Sequence, residues 1–119
     1  MGVVHRQIGR PGAFRWEGVI AEPYQKTGGK HVLIGPNEAA PNFALRYFEL
    51  PPGMASTLDT HAHDHGVFIL HGSGQVLLAE VEQPIGVGDV VYVGPHETHR
   101  FTASPTEPLG FLCVVPARR

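Results

Sequence analysis

The chain has 119 residues, 42% of them hydrophobic and 17% charged, with a formal net charge of −2, which suits one globular domain with a substantial core. Its scattered charges form no basic stripe for nucleic acid, and no apolar run approaches the roughly 18 residues of a membrane span. A single cysteine closes no internal disulfide, so the expectation is one domain over residues 1–119 in a reducing cytoplasm, with neither nucleic-acid nor membrane partners.

Fifteen glycines and eleven prolines favour short strands joined by turns over long helices. The start, Met1 to Arg6, lacks the long apolar region of a signal peptide. Val3 to Ile8 reads as an edge strand closed by the breaker Gly9-Arg10-Pro11-Gly12, and Trp16 as a core or interface anchor. Tyr24 to Lys30 is polar and contains glycines, and reads as a loop. His31 to Ile34 reads as a short strand with His31 facing solvent, closed by a turn at Gly35-Pro36-Asn37. Pro41 stops any helical turn over Glu38 to Asn42 from running on.

Phe43 to Leu50 is a strong strand with both faces largely apolar. Arg46 is its exception, and two readings stand. Its stem lies along the sheet with the head in water, or its guanidinium points inward to hold an anionic substrate group. Pro51-Pro52-Gly53 ends the strand.

The densest chemistry follows in Asp59-Thr60-His61-Ala62-His63-Asp64-His65, where three of the chain's eight histidines and two aspartates fall within seven residues. Imidazole and carboxylate are the ligand types that hold Zn, Ni, Fe or Mn. On an extended strand Asp59, His61, His63 and His65 would share one face, and a tight turn within the run would break that alignment. A polar, histidine-rich loop is the plain alternative.

Val67 to Leu70 then reads as a buried strand, His71 as an exposed residue beside the turn Gly72-Ser73-Gly74, Gln75 to Val81 as a strand and Gln83-Pro84 as a break. Gly88-Asp89 turns into the buried strand Val90 to Val93, and Gly94 to Thr98 forms a further turn that ends at His99. By alternation Phe101 shares the inward face with His99. Leu109 to Val115 is the closing strand, with Cys113 as a small buried core residue, and Pro116 to Arg119 a solvated tail. Strand signals recur throughout with no helical period and no repeat, so the fold class is all-β.

The stretches from Gly53 to Gly72 and from Gly88 to Ala103 resemble the paired motifs of the cupin superfamily, in its small single-domain, cupin-2 conserved-barrel form. The first motif has Gly, five residues, His, one, His, three or four, Glu, six, Gly. Here Gly53, Asp59, His61, His65 and Gly72 hold every spacing, with Asp59 where the first His is usual and His65 where the Glu is usual. In the second motif Gly88 and His99 match. Gly94 stands at the proline position with Pro95 one later, His96 replaces a glycine, and Ala103 replaces an asparagine. The resemblance implies a double-stranded β-helix, the jelly-roll barrel, and a ligand set of Asp59, His61, His65 and His99. His63 then falls in the turn between the two strands of the first motif. The competing assignment makes His63 the ligand and leaves Asp59 to cap the turn.

A divalent metal (Mn, Fe, Ni or Zn) is therefore the expected cofactor, and a small-molecule substrate or ligand and a second copy of the chain, as a homodimer, are the expected partners. Two function classes follow. One is a metal-dependent enzyme on a small organic molecule, dioxygenase-like or an isomerase or lyase, with Glu97, His96 and Tyr47 as candidate bases. The other is a non-catalytic small-ligand-binding or structural cupin module. Coordination positions left open by the protein favour the enzyme, because structural metal sites are usually closed and commonly contain cysteine.

Overall fold

Alternation of apolar and polar residues becomes nine strands in a computed structural model that describes residues 2–24 and 28–117. They are β1 (Glu22–Tyr24), β2 (Gly28–Ile34), β3 (Phe43–Leu50), β4 (His65–His71), β5 (Ser73–Leu78), β6 (Val81–Gly86), β7 (Val90–Val93), β8 (His99–Ala103) and β9 (Leu109–Pro116), with one 3-10 turn at Pro36–Glu38. In β8 the residues His99, Phe101 and Ala103 are buried while Arg100 and Thr102 are half-buried, the period of two that puts alternate side chains on opposite faces. No helix of the described residues is long and apolar enough to cross a membrane.

Two antiparallel sheets result, one of six strands in the order β1-β2-β3-β9-β4-β7 and one of three in the order β6-β5-β8. Their facing sides enclose a core that includes Phe48, Leu50, Ile69, Val76, Leu109 and Phe111. This is the all-β jelly-roll architecture expected from the sequence. The outer edge of β8 is covered by the segment from Gly53 to Asp59, which bridges at Ala55–Thr102 and Asp59–His99. Gln83-Pro84, read as a break, lies inside β6. That strand is an edge of the small sheet, where a proline costs no ladder hydrogen bond.

The region from Tyr24 to Lys30 also departs from the loop reading. Tyr24 closes β1 and Gly28 opens β2, and these strands pair antiparallel, while Gln25, Lys26 and Thr27 lie outside the described residues, as do Arg118 and Arg119 of the C-terminal tail. The edge strand read over Val3 to Ile8 reduces to a single bridge between Gln7 and Trp16.

The sequence reading placed His31 and His71 in solvent, and both are buried. Their cover is the N-terminal segment. Phe14 packs edge-on against Tyr47 and His71, and Trp16 against His31. His71 reaches this outer face because the register shifts between Ile69 and His71 in the pairing of β4 with β9; such an irregularity inserts an extra residue and reverses the alternation. Tyr47 Oη donates to Glu49 Oε1 at 3.0 Å and lies 2.9 Å from His71 Nε2, and the Gly12 N–H donates to that same nitrogen at 3.2 Å. Burial, with Glu49 beside it, pushes the Tyr47 phenol well above its ordinary range. Tyr47→Phe removes one oxygen and leaves the buried His71 and the half-buried Glu49 each short of a bond. We expect it to lower unfolding free energy by about 1–3 kcal/mol in urea denaturation, with metal content unchanged because this network faces away from the histidine cluster.

Candidate metal centre

Three histidines converge where the two sheets open. His65 begins β4 and points inward with Val67 and Ile69. His99 begins β8, and its main chain exchanges both hydrogen bonds with Asp59 (Asp59 N to His99 O at 3.0 Å, His99 N to Asp59 O at 2.9 Å). Residues paired in this way project from the same face of their strands. His61 follows two residues later, and its carbonyl accepts the His96 N–H. His96 has a φ of 61° at the position where the resemblance has glycine. Histidine is among the residues that tolerate this left-handed conformation best, so the altered turn still makes the bond that holds His61 in place.

One ring nitrogen from each of His61, His65 and His99 lies within 4.8 Å of the other two, a group that could hold a metal ion. The second nitrogens of two of these rings are engaged. His99 Nδ1 donates to the Glu97 carbonyl at 2.9 Å, and His65 Nδ1 lies 3.5 Å from Cys113 Sγ. Hydrogen bonds of this kind fix the tautomer that presents the other nitrogen's lone pair to a metal. His65 Nε2 is buried without any hydrogen-bond partner. An orphaned buried nitrogen is costly in a folded protein, and an ion held jointly with His61 and His99 satisfies it. Burial, with the neighbouring imidazoles, pushes the His65 pKa down to about 4, so the ring is neutral and its lone pair free at neutral pH. His61 is also lowered by burial, against the opposing pull of Asp59. The donor set fits a divalent cation.

The other two residues of the sequence-based set flank this triad. Asp59 Oδ2 is 4.0 Å from His61 Nε2, and Asp59 lines the same cavity as the three histidines. His63 is exposed, its ring stacked on His61 at 5.1 Å between centroids and 3° between planes. The residues from Thr60 to Asp64 are not a strand but a bend, so the run breaks the alignment that a continuous strand would have given. Asp64 turns outward to accept a hydrogen bond from Tyr92 Oη at 2.8 Å.

All three histidines line an inner cavity of about 190 Å³, and His61 and His65 also line a wider cleft of about 690 Å³. Phe101 stacks on Phe111 at 4.6 Å and Phe111 on Phe48 at 5.6 Å, making an aromatic floor, so Phe101 lines the pocket as the alternation predicted. Cys113 is buried, and that burial pushes its thiol pKa up. Arg46, for which the sequence left two readings, is half-buried on the cavity wall with its Nη2 3.4 Å from Cys113 Sγ. None of the three candidate bases lines the inner cavity. Tyr47 is on the opposite face of the sheet, His96 is exposed, and Glu97 accepts the Gly94 N–H at 2.9 Å.

The chain was compared with known proteins. A family model described as Cupin domain matches residues 46–115. The 1-methylthio-D-xylulose 5-phosphate methylsulfurylase of Rhodospirillum rubrum is 37% identical over 113 residues, which is 89% of this chain and 71% of that protein. Among solved structures, a cupin-2 domain from Rhodospirillum rubrum superposes with a TM-score of 0.82 at 35% identity, covering 96% of this chain and 78% of the other. A cupin 2 conserved barrel domain protein from Rhodopseudomonas palustris does so with a TM-score of 0.83 at 39% identity, covering 98% and 82%.

Proposed function

The chain belongs to the cupin family, and we propose that it is a metal-dependent enzyme of the isomerase or lyase kind, acting on a small carbonyl compound at the mouth of the barrel. The observation that carries this reading is the convergence of His61, His65 and His99 around the unpartnered Nε2 of His65, beside a cavity open to solvent. The similarity to a methylsulfurylase supports the choice of a carbonyl substrate, since the compound in that protein's name is a ketose with a thioether on a terminal carbon.

His61, His65 and His99 hold a divalent ion (Mn, Fe, Ni or Zn), and Asp59 completes the set from the segment that bridges to β8. Such an ion, when bound, polarises a carbonyl oxygen and eases loss of a proton from the neighbouring carbon. Phe48, Phe101 and Phe111 exclude water from the inner end of the cavity, which strengthens every charge interaction there. Arg46 adds a positive charge to the same wall.

Deuterium uptake at the carbon next to the carbonyl, followed by proton NMR with metal-loaded protein and small α-hydroxy and α-thio ketones, tests the proposal. Metal-dependent exchange is the expected result. Oxygen consumption without exchange would move the chain to dioxygenase chemistry, and neither, with any of the four metals, would leave a binding module. The assignment of the fourth ligand has its own check. Asp59→Asn is expected to weaken metal binding by at least about tenfold in competition with a chromophoric chelator, whereas His63→Ala keeps wild-type stoichiometry. Full metal affinity in Asp59→Asn would remove Asp59 from the ligand set.

A further inference from the structure

We propose that Arg46 and Lys30 form an anion subsite that holds a phosphomonoester end of the substrate while its other end faces the histidine triad. This rests on the metal-enzyme reading above and adds to it the substrate's charge and orientation.

Both residues point into the barrel because of strand register. Lys30 pairs with Phe48 and Val32 with Arg46 across β2 and β3, while Arg46 pairs with Cys113 across β3 and β9. Phe48 and Cys113 belong to the interior core, so Lys30 and Arg46, in register with inward residues, share their face. Lys30, Arg46, His61 and His65 all line both the inner cavity and the outer cleft.

The Arg46 head is underused where it stands. Its Nη2 donates to a sulfur, a weak acceptor, its guanidinium carbon lies 5.0 Å over the Phe48 ring, and its Nε is buried with no partner. Among the described residues no carboxylate forms an ion pair with Arg46 or Lys30; the ion pairs present involve His5, His61 and His71. A half-buried cation without a counterion is unfavourable, and placing it beside a divalent metal site adds like-charge repulsion. An anionic group lying between the cations and the triad relieves both costs. Two cations on one wall match the dianionic charge of a phosphomonoester better than the single charge of a carboxylate, and the guanidinium fork suits its oxygens.

The probes are glycerol 3-phosphate and D-glycerate, titrated calorimetrically into the metal-loaded full chain. Glycerol 3-phosphate is expected to bind at least about tenfold more tightly than D-glycerate. Arg46→Met should weaken it by at least about tenfold, with Arg46→Lys recovering part of the loss, and Lys30→Met by about threefold. Lys30 sits on the neighbouring strand β2 and outside the core cluster, so its variant remains informative if Arg46→Met does not fold. Metal content is measured on every variant. His61→Ala, with its metal site broken, should retain phosphate affinity within about threefold of the wild type. Phosphate binding lost in His61→Ala but kept in both cation variants would place the anion at the metal and overturn the proposal. So would equal or tighter binding of D-glycerate, or no binding of either probe to a protein that does hold metal. Loss of metal alone, with Arg46-dependent phosphate binding intact, would instead remove the enzyme reading and leave the anion subsite standing.

Discussion

His65→Ala is expected to abolish stoichiometric metal binding, weakening affinity by at least about a hundredfold, because it removes the central donor of the triad. Loss of residues that merely orient ligands already costs ten- to a hundredfold. The metal-free protein should respond differently. His65 Nε2 is a buried nitrogen without a partner, so its removal relieves an unmet polar group while leaving a cavity, and the two effects oppose each other. Thermal unfolding with and without metal separates these terms. The wild type should gain stability with added metal, on the order of 2.7 kcal/mol at a hundred times the dissociation constant, and His65→Ala should gain none. A variant that loses as much stability without metal as with it would make His65 a packing residue.

Gly110→Ala is expected to be the most damaging small substitution on the opposite face of the sheet. A Cβ at Gly110 would fall on Tyr47 Oη and on the His71 ring, whose Nε2 it would meet at 2.5 Å, well inside van der Waals contact. Those atoms belong to the hydrogen-bonded group of Tyr47, Glu49, His71 and Gly12, packed beneath Phe14 and tied to the strands on either side of β9. Moving those side chains aside breaks that group. We expect a loss of about 3–5 kcal/mol in urea denaturation. Gly66→Ala, on neighbouring β4, is the control: nothing lies within 4 Å of its added methyl, and the change should stay within about 0.5 kcal/mol.

The sequence carried the strands and the three converging histidines well, for a physical reason. Period-two burial in Val67 to Ile69 and Phe101 to Ala103 is a local signal, and so are the turn residues that bracket them. His61, His65 and His99 stood out because three of the chain's eight histidines cluster between 61 and 65 and the spacing out to His99 matched a two-motif pattern. What could not be read locally was set by distant segments. His31 and His71 looked like surface histidines because nothing adjacent in sequence covers them; Phe14 and Trp16, many residues earlier, do so. The register shift after Ile69 turned His71 to the other face, and no residue in Leu70-His71-Gly72 announces it. Pro84 read as a break because its edge position depends on which strands become neighbours. The bend at Ala62 and His63 decided which histidines of the run converge, a matter of turn geometry that the repeating His-x-His pattern conceals. Arg46 had two readings for the same reason: its direction depends on the register of β3 against β2 and β9, and that register is a property of the assembled sheet.

X-ray absorption at the metal edge of the loaded, untagged chain tests the central claim most directly. The account predicts a first shell of nitrogen and oxygen only, with the multiple-scattering signature of three imidazoles at about 2.0–2.2 Å and no sulfur, although Cys113 lies beside His65. A spectrum with fewer than two imidazoles, or with a sulfur scatterer, would contradict the assignment of His61, His65 and His99 as the centre around which this barrel works.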